Sequence, residues 1–488
     1  MEQLTLLAEP ELEFGGEQRH IDIRFGLMQS GPLDVGTATA PRRIKVGLVG
    51  LPDDLERLVA WFEKCRAEIP GKESKLRNLF PSFPGCVQGG ALDTELVIAD
   101  ELTAPLDARQ VRALVGAPRD QAGLEAAIEL FGERCKALEE KAKPDVYVCA
   151  PPDDLLTAFD AEIPEEAEGG DEEAGDAPRR RAFHDVLKAR LLRLHQPIQM
   201  VRPETYGSGE RRTQRKRGRG SAMVTHGMQD EATRAWNLHV ALYYKAGGTP
   251  WRVARDEAAY ATCFVGVSFY RSVDQQRVLI SVAQVFNERG DGVIVRGGQA
   301  KIDKDDRRPR LEEKDATDLL RRALQTYRSE HGNLPARIVV HKTSEHHPDE
   351  VRGFRAAATE QRVEMIDLVS LFPAETRLFR ANYFPPLRGT LFSFSPELQL
   401  LYLRGSVDFY ETYPGMYVPR PVGIRLDDVQ SGRTTLASEI LALSKQNWNN
   451  TQFDGGWPIT IRAARQVGDI LKHVGDEDPL PAGYAFYM

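Results

Sequence analysis

One apolar run constrains the fold of this chain more than any other: FVGVSFYR, from Phe264 to Arg271. Two further runs rich in β-branched residues follow it closely, from Val278 to Ala283 and from Gly292 to Arg296. Branched and aromatic residues at this density, separated by Asp-Gly and Gly-Gly, are typical of β-strands. We therefore predict three sequential antiparallel strands that begin a sheet.

The first half of the chain has a different pattern, in which strands alternate with helices. A short buried strand, Arg43 to Gly50, precedes a helix from about Pro52 to Arg66 whose apolar residues recur at helical spacing. Later predicted elements are strands at 95–99, 145–150 and 197–201 and helices around 111–115, 124–143, 183–194 and 233–246. Such alternation indicates an α/β fold with a mostly parallel sheet. The first strand lacks a following GxGxxG or Walker lysine, which argues against a dinucleotide or nucleoside triphosphate site there.

Length and composition narrow the class of protein. With 488 residues, more than one domain is expected, and the net charge of −8 does not indicate a nucleic-acid-binding protein by itself. The five cysteines have no CxxC spacing, which argues against a disulfide framework or zinc site and suits a reducing compartment. Because the sequence shows no secretory leader or long apolar span, we expect a cytoplasmic protein.

Two charged segments interrupt the first half, and we place their loops at about 160–180 and 204–230. Glu162 to Asp176 is mostly acidic residues, glycine and alanine, and is expected to be a solvated loop. Glu210 to Gly220 (ERRTQRKRGRG) is basic. It is either a disordered solubilising loop or an arm that contacts phosphates.

Five sequence blocks occur in an order that resembles a known family. They are ATRAWNLHVALYYKAGGTPWRV, CFVGVSFYR, VVHKTS, YFPPLRGTLF and LALSKQNWNNTQFDGGWPITI. From about Arg43 onward the chain resembles the short prokaryotic Argonautes. The resemblance implies an N-terminal arm at 1–42, a Rossmann-like MID domain at 43–250 and an RNase H-like PIWI domain at 251–488.

The predicted MID domain carries a candidate phosphate site. His184 and Lys188 stand at i and i+4 on one helix face, Gln199 follows in a strand, and Lys245 lies near the end of a later helix. From spacing alone, an exposed helix face and a helix-end cation are the better explanation of these residues. The resemblance implies that the four residues bind the 5′-phosphate of a guide strand. It also implies a Mg²⁺ ion there, held by Gln199 and the C-terminal carboxylate of Met488.

The predicted PIWI domain lacks the carboxylates that two-metal nucleases need. The resemblance places the catalytic positions at Ser268, at Thr343 beside Lys342, and at Asn450. We therefore expect no catalytic residues and no enzymatic activity in this chain.

Other residues could still be proposed as metal ligands. They comprise acids in predicted turns (Asp274, Glu288, Asp291, Asp454) and the segment with His346, His347, Asp349 and Glu350. We interpret the second group as exposed loop and helix-cap residues.

Cations spread over several predicted elements are expected to contact the nucleic-acid backbone. They are Arg252, Arg255, Arg271, Lys342, Arg388, Lys445 and Arg462.

The resemblance implies a function for the whole. A guide, expected to be RNA, would direct the protein to complementary single-stranded DNA without cleavage. An associated APAZ-containing protein with a TIR, sirtuin-type or nuclease effector would then act against plasmids or phage, and the complex could oligomerise on activation. Two alternatives remain open: a guided RNase H-like nuclease with unusual ligands, and a nucleotide-binding regulatory protein.

Overall fold

The computed structural model describes most of the chain. The described residues are 3–160, 182–207, 211–217, 220–226, 229–254, 260–273, 278–280, 283–286, 292–295, 297, 300–302, 308–379, 381, 385–415, 418–452, 455–475 and 478–488. The predicted acidic loop at 162–176 lies outside them, as do Arg255, Asp274, Glu288, Asp291 and Asp454.

The N-terminal arm consists of short strands and one helix: β1 (Gln3–Leu6), β2 (Leu12–Glu13), β3 (Arg19–His20) and α1 (Ile23–Ser30). Asp22 caps α1, because its carboxylate accepts hydrogen bonds from the backbone N–H groups of Arg24 and Phe25 at 2.8 and 3.0 Å. Leu12, Phe14 and Leu27 are buried in a cluster shared with the C-terminal half. The arm is therefore part of the core.

The first unit contains seven strands and seven helices within the described residues. The strands are β4 (Arg43–Gly50), β5 (Glu95–Val97), β6 (Thr103–Pro105), β7 (Val146–Ala150), β8 (Ile198–Met200), β9 (Arg211–Arg217) and β10 (Gly220–His226). The helices are α2 (Pro52–Lys64), α3 (Ala108–Val115), α4 (Gln121–Lys141), α5 (Asp153–Phe159), α6 (Ala182–Leu191), α7 (Pro203–Tyr206) and α8 (Glu231–Lys245). Strands β5, β4, β7 and β8 form a parallel sheet in that order, and β6 also pairs with β4. The predicted parallel α/β unit is confirmed.

The second unit is built on a larger mixed sheet. Its strands are β11 (Arg252–Val253), β12 (Thr262–Val267), β13 (Phe269–Arg271), β14 (Val278–Ile280), β15 (Ala283–Phe286), β16 (Gly292–Val295), β17 (Lys301–Ile302), β18 (Pro309–Arg310), β19 (Arg337–Lys342), β20 (Met365–Pro373), β21 (Thr390–Ser393), β22 (Leu398–Leu401) and β23 (Val422–Asp428). Its helices are α9 (Glu313–His331), α10 (Pro348–Glu360), α11 (Arg433–Leu443) and α12 (Ile459–Leu471). The main sheet has nine strands in the order β1-β21-β22-β23-β20-β19-β12-β15-β16.

The predicted antiparallel meander is present, with one break. Strand β12 pairs with β15, and β15 pairs with β16, all antiparallel. The run from Phe264 to Arg271 divides at Ser268, and β13 forms a separate ribbon with β14. Parallel pairing of β12 with β19 and of β19 with β20 follows through helical crossovers. This order agrees with the RNase H-like expectation.

Helix α12 lies directly on the central strand β12. A Cβ atom added to Gly266 would approach the carbonyl oxygen of Thr460 to 2.1 Å, so only glycine permits this contact. Thr460 is buried, and its Oγ1 lies 2.9 Å from Nδ1 of His341 on β19. The glycine in the organising run thus fixes the distance between this helix and the sheet.

The basic segment differs from expectation. We considered a disordered loop, but β9 and β10 form an antiparallel hairpin in which Arg211 is opposite His226 and Arg217 is opposite Gly220. Helix α7, which precedes the hairpin in the chain, is held by Arg234, whose Nη1 donates to the carbonyls of Glu204 and Thr205 at 2.6 and 2.8 Å. In the described ranges, no helix combines the length and apolar content needed to cross a bilayer.

Candidate functional site

The candidate phosphate site lies where four elements of the chain meet. Helix α6 carries Lys188, strand β8 carries Gln199, the last turn of α8 carries Lys245, and the segment ending in Met488 lies against them. The structure therefore brings together Lys188, Gln199 and Lys245, which the sequence interpretation placed on a helix, a short strand and a later helix.

Hydrogen bonds connect these residues closely. Nζ of Lys188 donates to the carbonyl oxygen of Ile198 at 2.6 Å and to the main-chain oxygen of Met488 at 2.5 Å. Nζ of Lys245 donates to Oε1 of Gln199, and Nε2 of Gln199 donates to the carbonyl oxygen of Met200 at 3.0 Å. The amide orientation of Gln199 thus directs an oxygen toward the lysine.

The two lysines are in an electrostatically unfavourable environment. Lys188 is 1% and Lys245 3% exposed, and within the described ranges neither forms an ion pair with an Asp or Glu side chain. Burial lowers the pKa of Lys188 to about 7. Burial also lowers the pKa of Lys245 well below its ordinary value, and the positive charge of Lys188 lowers it further. Apart from the C-terminal carboxylate of Met488, whose oxygen accepts from Lys188, no negatively charged group of the described residues balances the charge of the two lysines.

A bound anion would supply that charge. An ammonium group has three donors, and the protein groups named above accept two from Lys188 and one from Lys245. A terminal phosphate offers about two negative charges and several acceptor oxygens. The arrangement is therefore suited to binding a phosphate monoester.

His184 is the least integrated of the four predicted residues. Its Nδ1 lies 2.9 Å from Oδ1 of Asp185, and its side chain is 15% exposed. Asp185 in turn lies 3.8 Å from the ammonium of Lys472. His184 is thus placed one turn before Lys188, beside a carboxylate.

A magnesium ion fits this site only together with an anion. Oε1 of Gln199 and the main-chain oxygen of Met488 are hard donors of the kind that Mg²⁺ prefers. Each of these oxygens already accepts a hydrogen bond from a lysine ammonium, which would repel a divalent cation. Phosphate oxygens would have to complete the ligand set and balance the charge.

The predicted degenerate nuclease site is closed by an internal ion pair. Lys342 and Glu350 are both completely buried, and Nζ lies 2.6 Å from Oε2. The ammonium also lies 5.5 Å from the ring centroid of Phe269, next to the buried Ser268. In the part of the chain that the structure describes, no three His, Cys, Asp or Glu residues are grouped as metal ligands.

Three predicted backbone contacts are corrected by burial. Lys342, Arg388 and Lys445 are 0%, 4% and 1% exposed. Arg388 and Lys445 both pair with Glu9 of the arm, at 3.0 and 3.1 Å. These cations pair with carboxylates inside the protein and are not exposed at its surface.

The remaining cations differ from one another. Arg252 is partly exposed and pairs with Glu13 at 2.6 Å. Arg271 is exposed, and Arg462 is partly buried. Contacts with a nucleic-acid backbone stay a prediction for these three.

The His346–Glu350 segment follows the cap interpretation only in part. His347 is the N-cap of α10 in a capping box with Glu350. His346 and Glu350 are buried and not exposed, and Nδ1 of His346 lies 2.7 Å from Oδ2 of Asp427. The expectation of exposure was wrong for these two residues.

Sequence reasoning did not identify Glu9, Glu350 and the Ile198 carbonyl as partners of the lysines. Glu9 lies in the arm, far along the chain from Arg388 and Lys445, so no local pattern connects them. Glu350 offered one signal, because its position three residues after His347 fits a capping box. A backbone carbonyl leaves no trace in the side-chain sequence.

Comparison with known proteins supports the fold. No family model matches the sequence, and no curated protein matches it. Clostridium butyricum Argonaute bound to a guide DNA and a 19-mer target DNA has a TM-score of 0.64 at 13% identity, over 97% of this chain and 53% of that chain. Aa-Ago with externally bound siRNA has a TM-score of 0.60 at 14% identity, over 99% of this chain and 56% of that chain. Drosophila Piwi has a TM-score of 0.56 at 12% identity, also over 99% of this chain and 56% of that chain. The chain therefore has an Argonaute fold of the MID and PIWI kind and spans about half the length of these structures.

Proposed function

We propose that this protein binds the 5′-phosphate end of a guide strand and uses the guide to recognise a complementary nucleic acid. The observation that carries the proposal is the convergence of Lys188 and Lys245 on one site, where both are buried and neither pairs with an Asp or Glu side chain of the described residues. The likeness to Argonaute structures, two of which contain guide DNA with target DNA or siRNA, supports it.

In this proposal the pocket selects the chemistry of the guide end. The phosphate supplies the counter-charge that no Asp or Glu side chain of the described residues gives the two lysines, and each ammonium donates to its oxygens. Gln199 keeps its Nε2 group on the Met200 carbonyl and its oxygen toward Lys245, which fixes the lysine in place. A magnesium ion bound beside the phosphate would neutralise part of its charge. The target is then read by base pairing with the guide.

The finer part of the proposal concerns guide, target and outcome. We infer an RNA guide, a single-stranded DNA target and no cleavage by this chain. The buried Lys342–Glu350 pair supports the absence of cleavage, because an ammonium at that place disfavours divalent ions. We infer further that target recognition activates an APAZ-containing effector protein in defence against plasmids or phage.

Guide-binding measurements test the pocket. Lys188→Ala and Lys245→Ala should each weaken binding of a 5′-phosphorylated RNA by roughly tenfold to a hundredfold, the value of a charge-assisted hydrogen bond. The same RNA with a 5′-hydroxyl should lose less than about threefold. Lys64→Ala, which removes a half-exposed lysine on the same unit, serves as the control. Equal losses for both RNA ends would refute the pocket assignment.

An incubation with guide, labelled target and Mg²⁺ or Mn²⁺ tests the inferred absence of cleavage. The target should stay intact. Cleavage that disappears on a substitution within this chain would instead support the nuclease alternative.

A further inference from the structure

The hairpin of β9 and β10 has a dense positive charge that plays no part in the phosphate pocket. Strand β9 has the sequence RRTQRKR, and β10 has the sequence GSAMVTH. Five residues of β9 are Arg or Lys, and neither strand contains Asp or Glu. The hairpin is therefore strongly basic, whereas the chain as a whole has a net charge of −8.

The register places cations on both faces of the hairpin. Alternate residues of a strand lie on opposite faces, so positions 211, 215 and 217 share one face and positions 212 and 216 share the other. The larger apolar residues are divided in the same way, because Val224 is opposite Thr213 and Met223 is opposite Gln214. Neither face therefore has the continuous apolar surface that would pack on a protein core or enter a membrane.

The hairpin forms a sheet by itself. In the part of the chain that the structure describes, β9 and β10 pair with each other and with no third strand. A two-stranded hairpin alone is marginally stable in water, and five like charges along one strand repel each other. Cations on an open strand also disfavour the addition of a strand from another protein. A polyanion is the ligand that removes the repulsion and tolerates cations on both faces.

The chain enters and leaves the hairpin at the beginning of α8. Before the hairpin, the carbonyl oxygen of Gly207 accepts a hydrogen bond from Nη1 of Arg234 at 3.0 Å. After it, Asp230 caps α8 and accepts from the N–H of Thr233 at 3.1 Å. Lys245 of the phosphate pocket lies at the other end of α8, about 20 Å away at about 1.5 Å per residue. At about 3.4 Å per nucleotide, this distance corresponds to about six nucleotides of a stacked strand.

We propose that the hairpin binds phosphodiester groups of the guide strand, roughly six nucleotides beyond the end held in the pocket. This inference rests on the proposed function for the identity of the strand as a guide, and it adds a second contact to that strand. Arg and Lys bind phosphates without reading the bases, so the contact is independent of sequence. The pocket then selects the end of the guide, and the hairpin adds affinity along its length.

RNA binding at several salt concentrations tests the inference. Arg212→Gln with Arg215→Gln and Lys216→Gln removes three cations, drawn from both faces of the hairpin. Each phosphate contact to a single strand contributes about 0.7 to the slope of log K against log salt, so the slope should become shallower by about 2. At about 0.1 M salt, affinity should fall by about tenfold to a hundredfold. The loss should be the same for RNAs with a 5′-phosphate and a 5′-hydroxyl, unlike that of Lys188→Ala.

Two control variants separate this contact from a general loss of charge or of structure. Arg109→Gln with Arg112→Gln and Lys136→Gln removes three exposed cations from α3 and α4 of the same unit and should keep the wild-type slope. Arg212→Lys with Arg215→Lys conserves the charge of the hairpin and should also keep it. The glutamine variant of the hairpin should retain the wild-type preference for a 5′-phosphate. Loss of that preference would show that the hairpin acts through the pocket and would overturn the inference.

The remaining outcomes separate the hairpin from the pocket. A wild-type slope for the glutamine variant overturns the hairpin contact and leaves the pocket intact. A slope that changes only after complementary DNA is added assigns the hairpin to the target strand and also overturns the inference. Unchanged RNA binding with loss of a co-purifying protein would identify an acidic protein surface as the occupant instead. If the wild type does not distinguish the two RNA ends but the glutamine variant still has a shallower slope, the pocket proposal fails and the hairpin contact stands.

Discussion

Buried lysines occur in both halves of the molecule, and they differ in how their charge is balanced. In the second unit, Lys342 has a completely buried carboxylate partner, Glu350, at 2.6 Å. In the first unit, Lys188 donates to the Ile198 carbonyl and to an oxygen of the C-terminal Met488, and Lys245 donates to the amide oxygen of Gln199. Burial and the positive charge of Lys188 lower the pKa of Lys245. Burial of a lysine therefore does not by itself indicate a binding site. Burial of a lysine without a side-chain carboxylate to balance its charge does.

The largest difference between the two sites should appear when a lysine is removed. Lys342→Met leaves the Glu350 carboxylate buried without its partner and should lower the free energy of unfolding by about 3–5 kcal/mol. Denaturant unfolding of the guide-free protein measures it.

A second substitution separates charge from packing in that experiment. Glu350→Gln in the Lys342→Met background keeps an oxygen for the backbone N–H of Leu311, which donates to Glu350 at 2.9 Å. It should recover a large part of the loss. A loss below about 1 kcal/mol for Lys342→Met alone would show that this site is not a compensated pair.

The stability of the pocket and its affinity for guide should both depend on pH near neutrality. Burial lowers the pKa of Lys188 to about 7 in the folded protein, whereas the pKa of a lysine in an unfolded chain is about 10.4. Between these values the unfolded state binds more protons, so this lysine makes the free energy of unfolding of the guide-free protein rise with pH.

Guide binding should change in the opposite direction. Since the phosphate requires the charged ammonium, affinity for 5′-phosphorylated RNA should fall as pH rises from about 6.5 to 8.5, by at most about tenfold per pH unit. Affinity for 5′-hydroxyl RNA should stay nearly constant over the same series. Parallel pH curves for both RNAs would contradict a role for Lys188 in phosphate binding.

In the absence of guide, a smaller change in stability distinguishes the pocket from the Lys342 site. Lys245→Met removes one of two buried like charges and should raise the free energy of unfolding by about 1 kcal/mol, although it weakens guide binding. Denaturant unfolding measures this change beside Lys342→Met. Destabilisation of similar size in both variants would remove the contrast between the two sites.

The last substitution, Ser268→Asp, is expected to have no effect on target cleavage. Ser268→Asp restores one carboxylate at the predicted catalytic position, but Lys342 remains paired with Glu350, and Thr343 and Asn450 supply no further carboxylates. Incubation with guide, labelled target and Mn²⁺ should therefore give no cleavage. Product formed by this variant, and not by the wild type, would show that the catalytic position was misplaced.

The sequence predicted the strands and helices well where periodicity was strong. Strand β4 has the predicted bounds Arg43–Gly50, and the meander from β12 to β16 is present. The structure also brings Lys188, Gln199 and Lys245 together, as helical spacing and the family resemblance led us to expect, and their role in binding phosphate stays a prediction.

The failures have a common physical cause. Arg388 and Lys445 were expected at the surface, since a sequence shows a cation but not the distant carboxylate that allows its burial. The hairpin of β9 and β10 was missed because arginine-rich composition resembles a solvated loop, while pairing depends on register. Long-range partners are the information that single-sequence reasoning lacks.

Strand β1 also has a consequence for the order in which the protein is made. Gln3 pairs with Ser393, so strand β1 can join the sheet only after strand β21 has been synthesised much later in translation. At translation rates of about 5–20 residues per second, this delay is roughly 20 to 80 s. During that time Leu4 and Leu6 lack the neighbouring strand that later holds them, and the nine-stranded sheet closes among the last steps of folding.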